Sequence, residues 1–318
     1  MTELTVGKND AGKRLDAFLL KVFPTMPGSL LYKYIRTKKI KVNRKRTELN
    51  YRLAEGDTLQ CFISEEFTNP PKKEELFKTL SGNIEIVYED ENIILADKKP
   101  GLLAHSGEDE GLPTLIDEIK AYLYKKGEYN PENELSFAPA LCNRIDRNTG
   151  GIVIAAKNAE ALRIMNDKIK NRNLEKRYLC AVHGRPSKEH ATLTAYLFKD
   201  SAKGQAFVYD TPGKGRMKIV TEYTVKKHKD GLSLLEVNLI TGKTHQIRAH
   251  MAHVGYPLLG EGKYGTNKDD RKKGYKHQAL YSYKLKFLSD GEKNALSYLD
   301  GREFTVKKEN IYFLESFK

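Results

Sequence analysis

Cys142-Asn143-Arg144-Ile145-Asp146-Arg147-Asn148-Thr149-Gly150-Gly151 leads directly into Ile152-Val153-Ile154-Ala155. Four apolar residues in a row behind a glycine turn read as a buried strand. Asn148-Thr149-Gly150-Gly151 predicts a tight turn, where backbone can approach closely because glycine has no Cβ. Asp146 stands just ahead of that turn, flanked by Arg144 and Arg147. An acid so placed is either a structural ion pair or a carboxylate kept ionised for chemistry, and this stretch alone leaves both open.

Further strands are expected over 84–88, 93–96, 178–182, 220–225, 232–239 and 283–287, and helices over 115–123 and 159–169. In the second helix Leu162, Met165 and Ile169 share one face. Several strands follow one another with no helix between them. That predicts an α+β fold with a mixed, largely antiparallel sheet rather than a doubly wound parallel one. A second informative stretch begins where the strand over 232–239 ends. Thr241-Gly242 makes a turn, and 244–251 is expected to be a helix with Ile247, Met251 and Val254 on its buried face. His245 and Arg248 then share another face. A guanidinium held on a rigid helix can keep a facing carboxylate ionised and oriented.

The N-terminal 64 residues differ in charge. They carry 13 Lys and Arg against 6 Asp and Glu, so +7 of the chain's +13 lies in a fifth of its 318 residues. Leu15, Phe18, Leu19 and Val22 form a helical stripe. Ser29 is the expected N-cap of a second helix bearing Leu30, Leu31, Tyr34 and Ile35. Ile40 and Val42 alternate with Lys41 as in a short strand, and another is expected over 58–63 after the turn Glu55-Gly56-Asp57. Lys33, Arg36, Lys38, Lys39, Lys41, Arg44, Lys45 and Arg46 follow one another with no acid between them. Cations crowded on one edge repel each other, a cost that a phosphate backbone would offset. Residues 65–80, with Pro70-Pro71 and mixed charge, read as a linker. Residues 81–318 read as one further domain.

Other classes are set aside. No apolar run approaches the roughly 18–20 residues of a membrane span. The first ten residues lack a signal-peptide pattern, and three scattered cysteines do not make a disulfide framework, so the cytoplasm is the expected location. Gly242-Lys243-Thr244 ends like a phosphate loop, but Val237 occupies the position of its first glycine. Gly260-Glu261-Gly262-Lys263-Tyr264-Gly265 has dinucleotide-binding spacing, but no strand feeds it and 266–273 reads as a polar loop. His245, His250 and His253 do not share one helix face, and no metal site is expected.

Several motifs together resemble a known family. Arg144-Ile145-Asp146-Arg147-x-Thr149-x-Gly151 is similar to the active-site motif of RluA-type pseudouridine synthases. Lys176-Arg177-Tyr178-Leu179-Cys180-Ala181-Val182-His183-Gly184 resembles that family's tyrosine-bearing strand. Its arginine motif is matched by Thr241-Gly242-Lys243-Thr244-His245-Gln246-Ile247-Arg248-Ala249-His250. Asp90-Glu91-Asn92-Ile93-Ile94 and Lys99-Pro100-Gly101-Leu102 resemble the entry segment. This sequence departs in Asn143, Ile145, Gly150, Lys243 and Glu261. The N-terminal segment resembles an S4 RNA-binding module through Arg14-Leu15-Asp16, Lys39-Ile40-Lys41-Val42-Asn43 and Gly56-Asp57. It departs at Thr37-Lys38-Lys39, where Lys/Arg-x-Gly is usual.

The resemblance implies isomerisation of uridine to pseudouridine in RNA, with large-subunit ribosomal RNA favoured over transfer RNA. Asp146 matches the catalytic aspartate; attack at C1′, addition at C6 and abstraction of a 2′ proton remain open. Tyr178 would stack on the uracil, and Arg248 would pair with Asp146. Arg144 would fill the space vacated by the flipped-out base. Arg36, Lys38, Lys39, Arg44, Lys243 and His245 are the other expected RNA contacts. No cofactor or metal is implied, and a monomer with no membrane association is expected. The competing reading is a catalytically inactive S4-type RNA-binding protein.

Overall fold

The computed structural model describes residues 1–68, 75–105 and 111–318. Two sheets organise it. The first belongs to the N-terminal unit and combines β1 (Thr2–Thr5), β2 (Ile40–Val42), β3 (Lys45–Arg46) and β4 (Thr58–Cys61) in the order β1-β4-β2-β3. Helices α1 (Leu15–Val22) and α2 (Gly28–Arg36) cover it. Leu15, Phe18, Leu19, Leu31, Ile35 and Ile40 close a core of their own. Ser29 is not the cap of α2. The helix starts two residues earlier, with Pro27 at the N-cap and its carbonyl accepting the Leu30 and Leu31 N–H groups.

The end of α2 also has a particular form. The Lys38 N–H bonds to the Ile35 carbonyl and the Lys39 N–H to the Tyr34 carbonyl, with Lys38 at φ +64°. This is the Schellman ending, which glycine usually occupies. Short α3 (Glu65–Thr68) follows. Part of the expected linker, 69–74, lies outside the described residues. Leu76–Thr79 forms a 3-10 turn instead of an extended connector, because Phe77 is buried against Tyr124 and Tyr129 of the larger unit.

The second sheet has eleven strands. They are β5 (Ile86–Glu89), β6 (Ile93–Lys98), β7 (Ala140–Leu141), β8 (Gly150–Ala156), β9 (Leu174–His183), β10 (His190–Asp200), β11 (Gln205–Tyr209), β12 (Met217–Lys229), β13 (Leu232–Leu239), β14 (Leu280–Phe287) and β15 (Glu303–Thr305). The order is β11-β10-β12-β13-β9-β14-β8-β6-β5, with β7 added on β8 and β15 on β14. Every pairing is antiparallel except β14 with β8, so the sheet is mixed and largely antiparallel, as its sequence pattern implied. Every residue of β6 and β8 is buried, which is why Ile93-Ile94-Leu95-Ala96 and Ile152-Val153-Ile154-Ala155 run apolar instead of alternating.

Helix α4 (Leu115–Lys125) starts at a capping box in which Thr114 and Asp117 satisfy each other's backbone N–H groups. Asn158 caps α5 (Ala159–Lys170) by accepting the Ala161 N–H at 2.8 Å. Helix α6 (Gln246–His253) begins two residues later than expected. The stretch 266–273, expected to be a loop, contains the single turn α7 (Lys268–Lys272). Strands β7, β10, β11 and β15 had no clear sequence signal. The last two are short, and β10 is exposed along much of its length.

The two units touch through polar groups. Asn9 donates to Glu134 at 2.7 Å and accepts the Ala159 N–H at 3.1 Å, and Lys13 donates to Ser136 at 2.7 Å.

Candidate active site

The loop that carries Asp146 is fixed on three sides. Behind it, β8 lies against β14 with Gly150 opposite Tyr281 and Gly151 opposite Ser282. A Cβ on Gly151 would stand 2.2 Å from the Ser282 carbonyl oxygen, and one on Gly150 would stand 2.3 Å from the Tyr281 ring. Gly151 also has φ +113°, so both the close approach and the backbone require glycine there. Beneath the loop, the fully buried Lys98 donates to the carbonyls of Arg147, Leu102 and Lys99 at 2.8, 2.8 and 3.1 Å. Burial pushes its ammonium down to about 7, against the pull of the Asp146 and Asp97 charges. Within the loop, Asn143 accepts the Ile154 N–H at 2.8 Å, and the Thr149 N–H bonds to the Asp146 carbonyl at 3.0 Å.

Helix α6 is anchored by one buried side chain. The Gln246 carbonyl oxygen accepts from the Thr241 hydroxyl at 2.9 Å and the Lys243 N–H at 3.1 Å. Its amide nitrogen donates to the Val220 carbonyl and the Thr221 hydroxyl, both at 3.0 Å. His245 precedes the helix in a left-handed conformation, φ +56°. It is therefore at the N-cap and not one turn before Arg248 on a shared helix face. Its Nδ1 pairs with the Tyr264 hydroxyl at 2.8 Å, and its Nε2 lies 3.7 Å from the Asp146 carboxylate. Burial holds the His245 ring below the usual imidazole range even though Asp146 pulls it the other way.

Arg248 is 8% exposed and uses its fork in two directions. Nε and Nη2 donate to the two carboxylate oxygens of Glu261 at 2.7 and 2.9 Å, and Nη1 donates to Asp146 at 2.9 Å. Burial alone would raise the Glu261 carboxyl. The Arg248 hydrogen bonds and charge, with the Lys263 and Tyr264 N–H groups, bring it below the usual range instead. The paired carboxylates likewise hold the Arg248 guanidinium well above its ordinary value, against burial.

Tyr178 is on β9, opposite Ser282 of β14. Burial, with a smaller push from Asp146, raises that phenol to about 12, so it is neutral at physiological pH.

Asp146, Tyr178 and Arg248 line one cavity of about 470 Å³, together with Arg144, Lys243 and His245. That volume is within the roughly 300–1,000 Å³ of pockets that take small ligands. Six of the ten residues singled out from sequence therefore meet at one place. The other four, Arg36, Lys38, Lys39 and Arg44, are exposed on the N-terminal unit, where Arg36 borders a separate groove with Tyr32, Lys33 and Arg46. The three clustered histidines have different partners: His245 has Tyr264, His250 has Thr221 and His253 has Asp210. Among the described residues, no group of His, Cys, Asp and Glu is placed to hold a metal.

Sequence reasoning missed five contributors. Glu261 stood out only as a departure from a motif, yet it takes two of the three Arg248 hydrogen bonds. Its signal was a lone acid in a basic stretch. Lys98 fell just outside the quoted Lys99-Pro100-Gly101 segment. Lys170, Arg172 and Lys176 also line the cavity, and nothing in their spacing indicated it.

A family model described as RNA pseudouridylate synthase matches residues 92–253. An uncharacterised RNA pseudouridine synthase of Mycoplasma genitalium is 33% identical over 89% of this chain and 88% of its own length. Ribosomal large subunit pseudouridine synthase C of Buchnera aphidicola is 32% identical over 84% of this chain and 82% of its own. Among solved structures, human RNA pseudouridylate synthase domain containing 4 superposes with a TM-score of 0.56 at 19% identity. That superposition covers 73% of this chain and 92% of the human one, and it shows the shared fold.

Proposed function

The chain belongs to the RNA pseudouridylate synthase family, and from that premise we propose that it isomerises uridines of large-subunit ribosomal RNA with Asp146 as the catalytic carboxylate. In the overall reaction the C1′–N1 bond breaks, the uracil turns, and C5 bonds to C1′. The C5 proton leaves and N1 gains one, so the product is an isomer and no co-substrate is consumed. The work would be done in the cytoplasm.

One observation carries the assignment of Asp146, the divided fork of Arg248. A carboxylate paired with a whole buried arginine is a stable ion pair and a poor reagent. Here Glu261, whose side chain has no exposed surface, neutralises most of that guanidinium. Asp146 receives one directed hydrogen bond and stays one-quarter exposed toward the cavity. It is thereby aimed into the cavity without being fully satisfied. Tyr178 offers its ring to the uracil and has a neutral hydroxyl.

The target base must leave its stack to reach Asp146, and the exposed Arg144 guanidinium is the proposed filler of the vacated place. Lys243 and His245, at the same cavity, would contact the RNA. Large-subunit RNA is favoured by the similarity to relatives named for that substrate. Residues 1–64 are proposed to be an S4-type RNA-binding module, joined through 65–80 to a catalytic domain over 81–318, with Arg36, Lys38, Lys39 and Arg44 as its phosphate contacts.

The test uses large-subunit ribosomal RNA transcribed with 5-tritiated uridine. Tritium release by the wild-type protein, and none by Asp146→Asn, is the expected result. Equal release by both would remove Asp146 from the chemistry.

A further inference from the structure

The cavity has a second basic wall that the chemistry above does not use. It comes from the corner where α5 turns into β9. The Arg172 N–H bonds to the Ile169 carbonyl at 3.3 Å, and the Asn173 N–H to the Lys168 carbonyl at 2.8 Å. That is a Schellman ending, and Arg172 occupies its left-handed position at φ +62°. Glycine takes this conformation freely and arginine does not, so local backbone preference would choose glycine.

The corner is also held rigidly from beneath. The buried Lys168 donates to Asp290 at 2.7 Å and Asp300 at 3.1 Å. Asn173 donates to Asp290 at 3.2 Å and accepts the Leu288 N–H at 2.9 Å through its carbonyl. A cation is thus mounted on a fixed platform at a position whose backbone disfavours it.

The charge around it is one-sided. Arg144, Lys170, Arg172, Lys176, Lys243 and Arg248 line the cavity, and among the described residues that line it the only carboxylate is Asp146. Of these six cations, only Arg248 pairs with a carboxylate among the described residues. Five uncompensated cations around one cleft repel one another unless an anion is bound. Lys170 and Arg172 are exposed, so they can reach a ligand without breaking an existing bond.

We propose that the α5–β9 corner is a phosphate grip, in which Arg172, assisted by Lys170, holds a backbone phosphate of the RNA strand next to the target uridine. The guanidinium fork matches two phosphate oxygens, and its fixed mounting sets the register of the strand relative to Asp146. The proposal rests on the reading that this cavity takes a uridine in RNA.

The experiment replaces Arg172 by the residue its backbone prefers. Arg172→Gly should melt at the same temperature as the wild type or higher. On tritiated large-subunit RNA it should raise KM about fivefold and leave kcat within twofold. The slope of log Kd against log salt should fall by about 0.7–1, the loss of one phosphate contact. Arg172→Lys, which keeps the charge but not the fork, should recover the salt slope and only part of the affinity.

An unchanged KM and salt slope in Arg172→Gly overturns the grip. A lower melting temperature together with weak binding does so too, since Arg172 would then be structural. If the wild type binds this RNA but releases no tritium, the reading of the cavity fails. The salt slopes of the wild type and Arg172→Gly on that RNA would still decide whether the corner holds a phosphate.

Discussion

At Arg248 three N–H groups are committed, two to Glu261 and one to Asp146, and the side chain is buried. Along the α2–β2 edge the cations are placed in the opposite way. Lys33, Arg36, Lys38, Lys39, Arg44, Lys45 and Arg46 are exposed, and none pairs with a carboxylate among the described residues. Two ammonium groups of this edge stand over rings: that of Lys39 is 4.8 Å from the centre of the Tyr34 ring, and that of half-buried Lys41 5.7 Å from Phe62. A buried cation with three bonds can fix one carboxylate in one orientation. A row of solvated cations can only attract, and its effect disperses over many phosphates. On the proposed reading the difference teaches that the +13 charge has two uses: at the cavity single arginines set geometry, and on the N-terminal unit number matters more than identity.

The comparison breaks most visibly at the centre of the cavity. Asp146→Asn should lower the rate of tritium release by at least about a thousandfold, because it removes the proposed reagent itself. RNA affinity should change by less than about threefold, and filter binding beside the release assay separates the two. The next effect is at Glu261. Glu261→Ala leaves the buried guanidinium with one carboxylate instead of two and should cost about 3–5 kcal/mol of stability, read by urea unfolding. It should also draw Arg248 fully onto Asp146. Tritium release measured well below the melting temperature should therefore fall by more than tenfold. A variant that is destabilised but fully active would mean that sharing the fork is not what activates Asp146.

A third prediction concerns α6 itself. His250 is buried beside the Thr221 hydroxyl at 3.0 Å, and burial lowers its ring to about 4. The unfolded chain takes up a proton near pH 6.5, well before the folded ring does. Stability from this group is therefore complete above about pH 6.5 and is lost as the pH falls toward 4. The loss approaches about 3 kcal/mol, from a shift of roughly 2.5 pH units. His250→Gln should flatten that part of a stability-against-pH curve; an equally steep variant would assign the acid lability elsewhere.

The legibility of the molecule follows the same division. Buried strands were readable because burial on both faces makes a continuous apolar run, as in β6 and β8. The exposed β10 and the two-residue β7 left no comparable trace, since neither is selected for a distinct pattern. Asp146, Tyr178 and Arg248 were readable from motifs, because each is embedded in several residues that shape its turn or strand. Glu261 and Arg172 were not readable. What each does depends on a partner or cavity brought close by the sheet order, and sequence spacing does not encode that. The N-cap at Ser29 failed for a local reason: a preceding proline offers its carbonyl to the first helical N–H groups and displaces the start by two residues.

The smallest expected effect sharpens the comparison furthest. Lys38 sits at the left-handed end of α2, as Arg172 does at the end of α5, and both positions favour glycine. At α2 the cation is one of many, so Lys38→Gly should leave the melting temperature unchanged or slightly higher. It should reduce the salt slope of RNA binding by about 0.7–1 and leave kcat untouched. Reversing the charge of a neighbour, by Lys39→Glu, should compound the loss in a simply additive way, because solvated cations do not share a partner. Removal of residues 1–64 would then lower the slope by several such steps. Should Lys38→Gly instead act like Arg172→Gly and raise KM on a short single-stranded substrate, the edge would be positioning RNA as the cavity does. The contrast between fixed and dispersed cations would then be one of burial only.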